Sequence, residues 1–290
     1  MKNKPLASLV TAMTVFGTTG IVSSRISLPS GFIAFSRSIT ALVFLLIITF
    51  VSKHSLSVNS IKANRYKLLI SGAALGINWV MLFEAIKHTG VAVATVCYYL
   101  APIIVIAISP FVFKEIISVN MILCITVAVI GIVFVTGVFD VVSIINPIGV
   151  IFGIAAAVCY AVCVIVNKSM IEISPLDRTI VQFAVAAVIL LLYTCSFEKV
   201  YSESLSFTNI ILLVVLGLVH TGIAYILYFY ALNNLPSQTV SLFSYIDPVV
   251  AVILSGLMLG EALSVFQIIG SVLVIFSTLI FEIKNKKVGN

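Results

Sequence analysis

The segment FEAIKHTGVAVATVCYYLAPIIVIAISPFVFKEIISV (83–119) returns 146 residues later, without a gap, as FYALNNLPSQTVSLFSYIDPVVAVILSGLMLGEALSV (229–265). Eight positions are identical: Phe83/Phe229, Ala85/Ala231, Tyr99/Tyr245, Pro102/Pro248, Ser109/Ser255, Glu115/Glu261, Ser118/Ser264 and Val119/Val265. Most of the others exchange one apolar residue for another. A long recurrence at constant offset marks a duplicated chain, so the unit of folding to identify is half of it.

Composition says what each half builds. Of 290 residues, 61% are hydrophobic and 9% charged, with mean hydropathy +1.26; a soluble domain carries about 25% charged residues. Such a chain cannot cover itself with polar surface, so it is an all-α integral membrane protein with the lipid bilayer as its partner. About 20 apolar residues cross a hydrocarbon core of ~30 Å. Ten stretches reach that length, near 6–24, 31–51, 67–86, 91–112, 120–138, 148–167, 178–196, 208–231, 237–258 and 265–282. The breaks between them are short and punctuated by Gly, Pro, Ser and Asn (SRISLPSG, KHTG, NP, NNLPS), which leaves no soluble domain. The N-terminal MKNKPLASLVTAMTVFGTTGIV (1–22) has the basic start of a signal peptide. It is long enough to span and has no convincing small-residue cleavage site, so it reads as the first membrane helix.

Lys and Arg set the orientation. With the N-terminus inside, Lys2, Lys4, Lys53, Lys62, Arg65, Lys67, Lys114, Lys168, Arg178, Lys284, Lys286 and Lys287 fall on the cytoplasmic side, against Arg25, Lys87 and Lys199 outside. The expected location is the cell membrane, multi-pass, with both termini cytoplasmic. A net charge of +6 spread over short loops suits an anionic leaflet and disfavours nucleic acid. Five helices per copy is an odd number, so the two copies, 1–139 and 147–284, must lie in opposite orientations. Inverted repeats place a substrate site near the bilayer midplane, between the halves.

Within each copy a helix carries a central proline and a Glu thirteen residues later. In the second, Pro248 and Glu261 are followed by Gln267 and Gly270; the first has Pro102, Glu115 and Gly131. This pattern resembles the EamA family of the drug/metabolite transporter superfamily, over essentially the whole chain. The copies depart from each other where Met121 and Cys124 stand for Gln267 and Gly270, and Ser277 for Gly131, all packing positions. The resemblance implies ten helices, a central cavity between the halves, and export or import of small organic solutes such as amino acids, other metabolites or drugs; export is the direction favoured here.

Polar residues at middle depth are the candidate lining. Asp247 and Pro248 lie ~15 Å from either end of their span, as do Tyr99 to Pro102. A proline there frees a backbone carbonyl and bends the helix, tolerable where the backbone faces protein or a watery cavity; Pro102 and Pro248 are therefore gating or kink candidates. A charged Asp at midplane costs ~2.5 kcal/mol or more, so Asp247 must face water, find a partner or stay protonated. It suits proton coupling or the binding of a substrate amine. His220, the other proton carrier by side-chain chemistry, starts a stripe continued by Ala224 and Tyr228. Asn78 and Trp79 follow the small residues Gly72 and Gly76; Trp79 could stack on a ring or cation. Tyr98, Tyr99, Tyr160, Tyr225, Tyr228, Ser244 and Tyr245 complete a polar-aromatic lining. Arg37, inside its span, is expected to snorkel outward or to pair with a carboxylate such as Glu84 or that of a solute. Glu115 and Glu261, symmetric at opposite faces, are expected to hold helix ends together or gate.

The reading is a secondary transporter working by rocking of two inverted halves, with proton coupling through Asp247 or His220 as one source of energy. There is no GxxxxGK[ST] motif for ATP. A channel is the alternative, as is a membrane-embedded enzyme, although no HExxH, GxSxG or paired-Asp motif is present. The five cysteines sit in apolar segments as packing residues, so no metal or other cofactor is expected. Oligomeric state leaves no mark on the sequence.

Overall fold

A computed structural model describes residues 3–23, 25–136, 146–198, 206–259 and 264–288. Among the described residues the chain is helical with no strand. In order it forms α1 (Asn3–Ser23), α2 (Ser30–Val51), the short α3 (Val58–Ala63), α4 (Arg65–Tyr98), α5 (Ala101–Phe113), α6 (Val119–Val135), α7 (Pro147–Lys168) and α8 (Pro175–Phe197). Then follow α9 (Phe207–Val215), a π-helical segment (Leu216–Ile223), α10 (Ala224–Asn234), α11 (Ser237–Phe243), α12 (Ile246–Leu259) and α13 (Val265–Val288). Eight of the ten expected stretches have the length and apolarity to cross a bilayer; the other two are the shorter apolar helices Val119–Val135 and Val265–Phe281.

Helix starts follow local chemistry. Ser118, Ser174 and Ser206 cap α6, α8 and α9 by accepting from backbone N–H groups, and Pro147 and Pro175 occupy the first turns of α7 and α8, where the missing N–H has no helical partner to lose. One expected break is absent as such: helical hydrogen bonding continues through KHTG (87–90) in α4. The stretches on either side of this segment nevertheless pack against the same helix, α7. Asn78 bonds the carbonyl of Ala156 on α7, while a methyl on Gly153, one turn away, would lie 2.6 Å from the Cβ of Cys97. A straight helix would hold positions 78 and 97 about 28 Å apart, so the chain does not run straight from Asn78 to Cys97. The apolar stretches Arg65–Thr89 and Val93–Phe113 meet between those two positions.

The two central prolines do not kink continuous helices. Helical structure stops at Tyr99–Leu100 and at Ser244–Tyr245, and each proline enters the first turn of the helix that follows, Pro102 in α5 and Pro248 in α12. The reason is that a proline is unfavourable inside a helix and acceptable in its first turn. The breaks meet. Tyr245 donates its hydroxyl to the carbonyl of Tyr99 at 3.1 Å, so a residue of one copy bonds its own counterpart in the other.

α2 and α8, the second helix of each half, lie side by side and antiparallel. At one end Glu198, just past α8, accepts from the amides of Gly31 and Phe32 at 2.9 and 2.8 Å. At the other, Asp177 in the first turn of α8 meets His54 at 2.9 Å and the amide of Ser57 at 3.2 Å. α6 and α13 cross through glycines: a methyl on Gly131 would stand 2.8 Å from the carbonyl oxygen of Gly270. The outward faces carry Phe50, Phe111, Ile116, Leu257 and Phe266 exposed, the apolar surface a bilayer covers.

Candidate solute cavity

A cavity of about 270 Å³ lies between α1, α2, α4, α7, α10 and the α11–α12 break. Its walls extend from the level of the breaks toward the end of the bundle where α1 ends and α2 begins, through Gly20, Ile86 and Ala251. Of the sequence candidates, Trp79, Tyr98, Tyr99, Tyr160, Tyr225, Tyr228, Ser244, Asp247 and Pro102 line it. The aromatic wall is continuous: Tyr98 packs on Tyr99 and Tyr160 with ring centres 5.8 and 5.7 Å apart, Phe16 on Tyr225 at 5.0 Å, and Tyr160 donates to the Tyr228 hydroxyl at 3.1 Å. Such rings present hydroxyls and flat faces to a small solute.

Other candidates stand behind that wall. Asn78 is fully buried and donates to the Ala156 carbonyl at 2.7 Å. Tyr245 is fully buried against Tyr99, and Pro248 is buried beneath Asp247. His220 lies in the π-helical segment, with Nε2 2.7 Å from the Thr18 hydroxyl, and is not among the lining residues. The π-helical segment Leu216–Ile223 interrupts the α-helical spacing on which the stripe His220, Ala224, Tyr228 was drawn, and of those three Tyr228 lines the cavity. Glu261 falls outside the described residues.

Arg37 corrects the expectation of an outward-reaching side chain or a Glu84 pair. It points inward, lines the cavity, lays its guanidinium 4.7 Å from the centre of the Trp79 ring and donates Nε–H to the Thr221 hydroxyl at 2.9 Å. Glu84 instead pairs with Lys87 at 2.8 Å and accepts from the Tyr193 hydroxyl. Among the described residues neither Arg37 nor Asp247 forms an ion pair. The cavity thus carries one basic and one acidic side chain. Asp247 sits in the first turn of α12, and α1 is pressed close to it: a methyl on Gly17 would come 2.7 Å from the Asp247 carbonyl oxygen.

The opposite end of the bundle is tied shut. Glu115, just past α5, accepts from the Ser237 amide at 2.9 Å, the Ser237 hydroxyl at 2.7 Å and the Gln238 amide at 3.3 Å. Gln238 donates to the Ser109 hydroxyl at 2.9 Å, and Lys168 donates to the carbonyls of Leu232 and Leu235. Glu115 of the first copy therefore grips the helix-entry loop of the second. Phe16, Gly17 and Gly20 escaped the sequence candidates as lining. Arg37 is singled out by the sequence as a charge inside its span, with snorkelling outward or pairing with a carboxylate as the expectation.

Residues 4–137 and 147–282 each match the model of the EamA-like transporter family. The uncharacterized transporter YxxF of Bacillus subtilis (strain 168) is 28% identical over 277 residues, 94% of this chain and 88% of that protein. An uncharacterized transporter of Clostridium kluyveri is 28% identical over 78% of this chain and 74% of its own. A solved crystal structure superposes with a TM-score of 0.84 at 18% identity, covering 96% of this chain and 98% of that one, a likeness of fold.

Proposed function

The chain belongs to the EamA-like transporter family, and with it to the drug/metabolite transporter superfamily; from this premise we propose that it exports a small organic solute by alternating access between two inverted halves, 1–139 and 147–284. That it is a multi-pass membrane transporter follows from the family and its apolar helices. In the proposed cycle the cavity binds solute between the aromatic wall, Arg37 and Asp247. The halves then rock so that the tie at Glu115 opens while the far end closes, and the counterpart Glu261 serves the other end. The short helices of residues 119–135 and 265–281 complete ten spans, with both termini cytoplasmic.

The observation that carries this reading is the cavity between two broken helices, lined by both Arg37 and Asp247, neither of which forms an ion pair among the described residues. A carboxylate that faces an aqueous cavity without a cationic partner can take up and release a proton as its surroundings alternate, which makes Asp247 the coupling residue. His220, held by Thr18, shapes the neighbouring helix contact. The test is a comparison of internal and external metabolite pools in cells with and without the protein, followed by uptake and release in proteoliposomes. A compound enriched outside identifies solute and direction. Asp247→Asn is expected to leave the amount of folded protein unchanged and to remove the acceleration of transport by a proton gradient. A gradient response equal to the wild type's would take Asp247 out of the coupling role.

A further inference from the structure

The sequence counts Arg178 among the cytoplasmic-side cations, at the start of the span 178–196. The structure buries it: it is in the first turn of α8, only 1% exposed, its guanidinium 5.7 Å from the centre of the Phe229 ring. Its Nε and Nη1 groups have no hydrogen-bond partner among the described residues, and it forms no ion pair there. The adjacent carboxylate, Asp177, is engaged by His54 and Ser57. A buried guanidinium left without a counter-charge is unfavourable, so its retention calls for a state in which an anion reaches it.

The place of Arg178 suggests which state. α2 and α8 are corresponding helices of the two halves, and they run antiparallel. Each carries one arginine in its first turns, and each arginine lies on an aromatic ring of the helix that comes next in its own half: Arg37 on Trp79, Arg178 on Phe229. Because the helices are antiparallel, the two arginines sit toward opposite ends of the bundle. Arg37 lines the cavity at its end. Arg178 lies at the end closed by Glu115 and Lys168, near enough to Lys168 for their charges to interact.

We propose that Arg178 is a second anion-binding site, covered while the Glu115 tie is closed, which receives a carboxylate group of the solute when the cavity is exposed at the Glu115 end and passes it to Arg37 as the halves rock. The transported solute therefore carries a carboxylate, which a guanidinium grips through two parallel hydrogen bonds. This rests on the transport reading above. A solute bound better by Arg178 in one state and by Arg37 in the other is what drives a two-state equilibrium both ways in turn.

The experiment uses the full-length protein in proteoliposomes loaded with a uniformly ¹³C-labelled, water-soluble cell extract, with release followed by mass spectrometry. Wild type is expected to release carboxylate-bearing compounds. Arg178→Met should cut that release at least tenfold while the purified protein melts at or above the wild-type temperature, since the unpaired charge is gone. Arg178→Lys should restore part of the release. Release confined to compounds without a carboxylate, or wild-type release by Arg178→Met, would overturn the assignment. So would a parallel loss of melting temperature and release in both variants, because that marks a structural arginine. Wild-type vesicles that release no more than protein-free ones would defeat the transport reading itself, a result distinguishable from normal transport that ignores Arg178.

Discussion

Replacing Glu115 by alanine removes the acceptor of three hydrogen bonds, from the Ser237 amide, the Ser237 hydroxyl and the Gln238 amide. Hydrogen bonds to a charged group contribute about 1.5–3 kcal/mol each. This end of the bundle lies near water, which can take over part of each bond, so about 1 kcal/mol apiece is the reasonable loss. The total of about 3 kcal/mol favours the opened end by roughly 150-fold, at about 1.4 kcal/mol per factor of ten. Glu115→Gln keeps one acceptor oxygen and should shift the balance by about 1–2 kcal/mol, or roughly 5–30-fold. Ser109 provides the reporter, being fully buried under the tie and bonded to Gln238. In a background with the five native cysteines replaced, Ser109→Cys should react slowly with a maleimide. Adding Glu115→Ala should raise the rate by about two orders of magnitude if the tie controls access. A change of less than about threefold, with the protein still folded, would show that Glu115 does not hold this end closed.

Other substitutions probe the frame around the cavity. Gly17→Val places a branched side chain where even a methyl would meet the Asp247 carbonyl oxygen and Val250 at 2.7 Å; overpacking costs about 1–3 kcal/mol, seen as a lower melting temperature together with weakened transport. Tyr245→Phe deletes the bond between the two helix breaks. It should cost about 0.5–1.5 kcal/mol of stability in a thermal melt, and a variant as stable as wild type would make that bond incidental. Arg37→Gln removes the cation from the face of Trp79, the sole tryptophan, and should shift its fluorescence emission; an unchanged spectrum would contradict the contact.

Much of this architecture could be read along the chain, because a bilayer imposes length and apolarity on each crossing, and a duplication repeats its punctuation. Tyr99, Pro102, Tyr245 and Pro248 announced the two breaks, although they end helices where a kink was expected. Trp79 and most of the mid-depth tyrosines reach one cavity because their depth in the bilayer follows from their place in a span. Direction around a helix is harder to read. His220 lies in a π-helical segment against Thr18 rather than in the cavity wall, and a π turn is not registered by α-helical spacing. Arg37 and Arg178 were misjudged because their surroundings are contributed from far along the chain. Thr221 is 184 residues from Arg37, and nothing next to Arg178 in sequence distinguishes an exposed cation from a buried one.

The most direct measurement uses Ser244→Cys, a lining residue at the break, in a protein without its native cysteines, in sealed vesicles of known sidedness. A membrane-impermeant thiol reagent should reach it from either face of the membrane, and cross-linking Glu115→Cys to Ser237→Cys should abolish labelling from that face alone. Labelling from one face only without the cross-link, or labelling from both faces that the cross-link leaves unchanged, would contradict alternating access through this cavity.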